Sequence, residues 1–300
     1  MRFSPTARFG LPALATGILF VSFSPLLVQV SEVGPSTTAV YRALFAMPAL
    51  TAWMLLEQRA EKKMPRRKLK ARDWGLLALT GLFFTGDLIA WHSSIRLSGV
   101  ANATFLAHLS TPIIAIGAWL MFSERLTWGF MAGLVLAMAG TALIMGASIV
   151  EPGGSLLGDG LGLLTAFFYG GYLLTIKHLR ESLPSGLIMT VSTAFSFFGL
   201  LIAALLMDDT LFPVTLLGWG TLVAIGLIMH AGGQGLITVA FRHLSASFAS
   251  VALLATPVLA AFFGWLILGE PLTLMQSLGC AAVLAGIALS QRLGVTGGKS

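Results

Sequence analysis

Arg42 and Asp87 are charged residues set in long apolar runs, and His108 and His230 are histidines in similar company. An ionisable side chain at the centre of a bilayer costs roughly 2.5–3.5 kcal/mol on insertion scales, so each such group demands a partner or a wet cavity. Two chemistries fit Arg42 and Asp87. As a pair they would fix one helix against the next. As separate groups facing a cavity, Arg42 would meet a carboxylate and Asp87 an ammonium. At 1.5 Å rise per residue both lie about 10–12 Å below the same membrane face, so either arrangement is within reach. Imidazole titrates near neutrality, so His108 and His230 can line a cavity or relay a proton; a packing histidine is the plainer alternative.

The surroundings of the histidines point to a polar interior. One helical face carries Ala101, Thr104, His108, Thr111 and Pro112, and another carries Gly226, His230, Gly233, Gln234 and Thr238. Small, polar stripes turn away from lipid. Gly232, Gly233 and Gly235 flank Gln234 and suit close packing or a bend, since a glycine costs a helix about 1 kcal/mol. Pro112 and Pro257 each remove a backbone hydrogen bond and free a carbonyl, which makes them candidate hinges with those glycines. Trp91, one turn after Asp87, and Tyr169 and Tyr172, beside Gly170 and Gly171, join an aromatic body to a polar tip. Such side chains suit an amphiphilic small substrate, and interior packing would use them equally well.

Membrane-crossing helices must position these groups. The chain is 56% hydrophobic and only 10% charged, against about 25% charged in an average soluble domain. Apolar runs of roughly 18 residues or more read as transmembrane helices. Ten spans are expected, over 10–31, 36–56, 73–95, 100–121, 128–148, 158–178, 185–207, 214–239, 246–268 and 273–291, making an all-α integral membrane protein. With the N-terminus in the cytoplasm, every Lys and Arg except Arg42 and Arg96 falls in cytoplasmic segments, a strong positive-inside bias. Both termini are then cytoplasmic. These loops account for the net charge of +6 without nucleic acid. Arg2 and Arg8 precede an apolar run too long for a signal peptide and without a small-residue cleavage site, so a retained first helix is expected. The lone Cys280 excludes an internal disulfide. No Walker A sequence, HExxH helix or paired acidic motif occurs, so neither ATP drive, nor an intramembrane enzyme, nor a metal or cofactor is expected.

The chain also repeats itself. Trp74-Gly75-Leu76 returns as Trp219-Gly220-Thr221, and Thr111-Pro112 as Thr256-Pro257. Glu124-Arg125-Leu126-Thr127 returns as Glu270-Pro271-Leu272-Thr273, trailed by Gly133 and Gly140 in one copy and Gly279 and Gly286 in the other. Two halves follow, 1–148 and 149–300, of five spans each. An odd number of spans makes the halves enter the membrane from opposite sides, a 5+5 inverted-topology repeat of the kind that carries alternating-access transport. The same register pairs Ser24 with Tyr169, which adds Ser24 to the candidate binding residues. The glycine seams of the fifth and tenth spans are expected to pack helices together or to join protomers, leaving monomer and homodimer open. Glu124 and Glu270 are expected to accept from backbone N–H groups where the next helix starts.

The two Pro-x(11–12)-Glu-x-Leu-Thr segments, Pro112 to Thr127 and Pro257 to Thr273, with their trailing glycines, resemble the drug/metabolite transporter superfamily and its EamA-type ten-helix exporters. Arg42 in Tyr41-Arg42-Ala43-Leu44 fits the same resemblance, which covers nearly the whole chain. It implies secondary export of small metabolites across a bacterial inner membrane, through a central cavity lined by spans 1, 3, 4, 6, 8 and 9. Within the superfamily the chain is most similar to bacterial exporters of amino acids, aromatic or broad in range; another metabolite or drug class is the alternative. The implied driving force is the substrate gradient or proton exchange. The small four-helix multidrug members carry a glutamate in their first span, and residues 11–30 here hold no acidic residue, which argues against their drug antiport.

Overall fold

The computed structural model describes residues 7–60, 69–149, 155–207, 210–269 and 271–293. Arg2, Lys62, Lys63, Arg66, Arg67, Lys68, Glu151, Asp208, Asp209, Glu270 and Lys299 lie outside them, and with them most of the basic segment after the second span and one of the two repeated glutamates. Every regular element described is helical. In chain order they are α1 (Ala7–Val21), α2 (Ser24–Gln29), α3 (Pro35–Ala60), α4 (Ala71–Ser98), α5 (Val100–His108), α6 (Ser110–Phe122), α7 (Trp128–Ile149), α8 (Leu156–Arg180) and α9 (Ser185–Met207). Then come α10 (Leu216–Ala224), a π-helical segment (Ile225–Gln234), α11 (Gly235–His243), α12 (Ala246–Leu253), α13 (Ala255–Leu268) and α14 (Leu274–Leu293). Together they make 10 stretches long and apolar enough to cross a membrane. All the expected spans are present, and some run further: the second reaches Ala60 and the third Ser98.

Four spans are interrupted, and the sequence accounts for three of the breaks. Pro25 opens α2; it has no N–H for the carbonyl of Val21, and its ring crowds that carbonyl, so α1 ends there. Pro112 and Pro257 each stand in the first turn of a helix, α6 and α13, where a missing N–H breaks no helical bond. The joints before them are alike: Leu109 has φ −63° and ψ −8°, and Leu254 has φ −65° and ψ −9°. The ends of α6 and α13 also match, in left-handed residues at Ser123 (φ 54°) and Gly269 (φ 70°). The fourth interruption, the π-helical segment, holds Gly232 and Gly233, with Gly235 just beyond.

The chain forms two compact units, Met1–Ile89 with Gly171–His243, and Ala90–Gly170 with Leu244–Ser300. Each draws on both sequence halves. In the first unit α3 packs on α9 and on the π-helical segment, and α1 packs on that segment and on α11. Acidic side chains there serve the free amides of helix N-termini. Glu57 accepts from the Gly186 N–H at 2.7 Å, where α9 begins. Glu32 accepts from the N–H groups of Val214 (2.9 Å) and Thr215 (3.0 Å) and from the Thr215 hydroxyl, just before α10. The Thr215 hydroxyl, then its N–H, hold the Glu32 carboxyl below the ordinary carboxylate range.

In the second unit α7 and α14 lie against each other along the glycine seam. A Cβ on Gly133 would come 2.6 Å from the carbonyl of Gly286, and one on Gly140 would come 2.7 Å from that of Gly279. The fifth and tenth spans therefore pack together within one chain. Phe130, Leu134, Ala137, Val251, Leu254 and Val283 form the apolar core beside them. Glu124 differs from expectation. Its buried carboxylate accepts from Ala246 N–H (2.8 Å), Ser247 N–H (3.0 Å) and the Ser247 hydroxyl (2.6 Å), at the start of α12 rather than of α7. The reason is local: the Thr127 hydroxyl already accepts from the Phe130 N–H in the first turn of α7, at 3.1 Å.

Candidate functional site

The first unit brings Arg42, Asp87, Tyr172 and His230 into one buried cluster. Its centre is the ring of Phe84 on α4. The Arg42 guanidinium lies over that ring at 5.5 Å, the Tyr172 ring stands 4.8 Å from it, and the His230 ring 5.0 Å. These come from α3, α8 and the π-helical segment, so packing of four elements sets the arrangement. Asp87 lies one turn beyond Phe84 on α4 and is electrostatically coupled to Arg42, as is His230. Relative exposure is 4% for Arg42, 8% for Asp87, 1% for Tyr172 and 1% for His230, so charge and hydrogen-bonding capacity are buried among the helices.

His230 Nε2 stands 2.8 Å from the hydroxyl of Thr193 on α9. Its Nδ1, the Oε1 of Gln234 and the Oγ of Ser24 are buried without a hydrogen-bond partner among the described residues. Nearby, the hydroxyl of Thr238 donates to the Gln234 carbonyl (2.9 Å), and that of Tyr172 points at the sulfur of Met189 (3.8 Å). Gly232, Gly233 and Gly235 are close-packed: a Cβ on each would come 3.0 Å from Phe20, 2.7 Å from Val21 and 2.8 Å from Trp53. Close approach of neighbouring side chains is thus one reason for glycine at these positions.

Trp91, His108 and Tyr169 belong to the second unit, where all three are half-buried. Trp91 packs against His92 with ring centres 5.2 Å apart and the planes tilted by 37°. His108 bonds within its own helix, Nδ1 to the Thr104 carbonyl at 2.7 Å. Pro112 and Pro257 also lie in this unit, two residues before the buried Ile114 and three after the buried Leu254. Among the described residues no group of three or more His, Cys, Asp and Glu side chains is placed to hold a metal ion.

Phe84 and Thr193 are the two cluster members that sequence reasoning passed over. Phe84 had a signal, since it lies three residues before Asp87 and shares its helical face. Thr193 had none; nothing in the spacing of span seven ties it to a histidine on span eight. The arrangement offers a cation, a carboxyl group and unpaired hydrogen-bonding atoms around aromatic faces. That composition suits reversible binding of a small polar molecule with an apolar part.

Ten helices long and apolar enough to cross a membrane mark a multi-pass membrane protein. The chain belongs to the EamA-like transporter family, whose pattern matches it twice, over residues 8–146 and 156–291. It transports small molecules across a lipid bilayer, and the family is one of transporters rather than enzymes. It is 28% identical over 295 residues to the pseudopaline exporter CntI of Pseudomonas aeruginosa, covering 94% of this chain and 98% of the relative. It is 27% identical over 228 residues to the uncharacterized transporter YwfM of Bacillus subtilis, covering 74% and 75% of the two chains. A protein of known crystal structure shares the fold with a TM-score of 0.80 and 18% identity, over 95% of this chain and 97% of that one.

Proposed function

We propose that this transporter exports amino acids, aromatic or broad in range, from a bacterial cytoplasm across the inner membrane. The observation that carries the reading is the buried cluster of the first unit. Arg42 matches a carboxylate, Asp87 and Gln234 match an ammonium, and Phe84 and Tyr172 offer aromatic surface to an apolar side chain. Buried ionisable groups in a membrane are maintained for function more often than for stability, because they are costly to insert. Trp91, His108, Tyr169 and Ser24 are further candidate substrate-binding residues.

The mechanism is alternating access by the two inverted five-span halves, 1–148 and 149–300, with both termini cytoplasmic. Pro112, Pro257, Gly232, Gly233 and Gly235 are its flexing points. The helix joints at Leu109 and Leu254 and the π-helical segment support that assignment, since π segments in helices are frequent at functional sites. The substrate gradient or exchange for protons drives export, with a monomer or homodimer as the working unit.

The experiment is flux in liposomes holding only the purified protein, with a panel of amino acids, with and without a pH gradient. Saturable flux of at least one amino acid is expected. Its acceleration by the gradient would assign proton exchange. A second reading, export of another metabolite class, draws on the name of the Pseudomonas aeruginosa relative. Flux of pseudopaline without flux of any amino acid would favour it and remove the first.

A further inference from the structure

The contact between Thr193 and His230 decides which ring nitrogen carries a proton. Both side chains are buried, at 1% exposure each, and the hydroxyl stands 2.8 Å from Nε2. Neither side chain has another hydrogen-bond partner among the described residues. If Nε2 donated to the hydroxyl, the hydroxyl proton and the Nδ1 lone pair would both be stranded. If the hydroxyl donates to Nε2, the proton sits on Nδ1 and only that N–H lacks a partner. Each stranded buried group is unfavourable, so the second arrangement wins. A doubly protonated ring would also carry a proton on Nδ1, so the outcome does not depend on the charge of the imidazole.

His230 therefore presents a buried N–H donor. It does so beside the same Phe84 ring that carries the Arg42 guanidinium. Two donors gathered at one aromatic ring are matched to an anion, and a planar guanidinium is matched to a carboxylate in particular. Four residues along the same π-helical segment, Gln234 Oε1 is an unpartnered buried acceptor.

We propose that Arg42 and the Nδ1–H of His230 form the carboxylate subsite of this transporter, that Gln234 Oε1 receives the substrate ammonium, and that Thr193 is the positioning residue that sets the His230 proton. This deepens the function proposed above and rests on it. Thr193 touches no substrate. It acts by keeping Nδ1 a donor, so losing its hydroxyl weakens binding and leaves the transport cycle itself intact.

The test uses the full-length protein, as wild type, Thr193→Val and Thr193→Ser. Nitrogen-15 spectra of histidine-labelled protein report the His230 tautomer. Proton on Nδ1 is expected in wild type and Thr193→Ser, and a mixture in Thr193→Val. In liposomes, the KM of the best-transported amino acid rises about tenfold in Thr193→Val at nearly unchanged maximal flux, about 1.4 kcal/mol of binding. Thr193→Ser restores it. The wild-type KM for the amide of the same amino acid, which lacks the carboxylate, is at least about tenfold higher than for the acid. A wild-type ring protonated on Nε2 and not on Nδ1, an unchanged KM in Thr193→Val, or equal KM values for acid and amide would each overturn the proposal. If Thr193→Val does not fold, the wild-type and serine spectra and the amide comparison still decide it. If no amino acid is carried, the proposed function falls, while the spectra still decide the role of Thr193.

Discussion

Glu124 in the second compact unit and His230 in the first use buried polar groups in opposite ways. In the second, the buried carboxylate of Glu124 is met by three donors at the start of α12, and glycines bring α7 and α14 into backbone contact. In the first, His230 and Gln234 keep buried atoms without partners beside Arg42 and Asp87. A satisfied buried charge holds helices together, because removing its partners strands it. An unsatisfied buried polar atom stabilises nothing, and its retention needs another reason. The contrast gives Glu124 structural work and supports the ligand role proposed for His230.

Four substitutions test that division, from the largest effect to the smallest. Glu124→Ala strands two backbone N–H groups and a hydroxyl, and is expected to lower stability by about 3 kcal/mol or more, read as a fall in melting temperature and yield. A melting temperature equal to wild type would put Glu124 outside the structural class. His230→Ala is expected to keep the fold and to cut flux by about a hundredfold, roughly 2.7 kcal/mol at the transport barrier. Unchanged flux would dissolve the functional side of the contrast. Gly140→Val forces a side chain against the Gly279 carbonyl, 2.7 Å from the position of its Cβ. Overpacking of this kind costs about 1–3 kcal/mol, and the melting curve measures it.

The smallest effect concerns Glu32, the half-buried counterpart of Glu124 in the first unit. Hydrogen bonds lower its folded pKa below the ordinary 4.5. Its contribution to stability is therefore complete above about pH 4.5 and is lost as pH falls through the lowered folded value. Glu32→Gln is expected to remove that acid-dependent component from melting curves recorded between neutral pH and pH 3, with little change in flux. A variant as acid-sensitive as wild type would show that the cap contributes nothing measurable.

Much of this was legible beforehand. The ten spans follow from hydropathy, because a bilayer imposes one length and one composition on every crossing helix. The joints at Leu109 and Leu254 follow from Pro112 and Pro257, because a proline acts on its own turn. The π-helical segment was signalled only as a glycine-rich bend. The partner of Glu124 is not legible in the sequence, since which helix start lies near a carboxylate depends on tertiary packing, and Thr127 already serves the nearer one. The candidate residues Arg42, Asp87, Tyr172 and His230 were named from their chemistry, but their meeting around Phe84 was not foreseen.

The amino-acid sequence by itself determined the class of protein, the number of crossings, the placement of the proline-bound helix breaks and the few residues too polar for their surroundings. Each is a local property, set by hydrophobicity, by proline, or by the cost of a charge in apolar company. Only the tertiary structure decided which of those residues share a site. It set α3, α8 and the π-helical segment around one aromatic ring of α4 and placed Thr193 of α9 against His230. Such contacts join residues far apart in the chain, and no spacing along it encodes the distance between them.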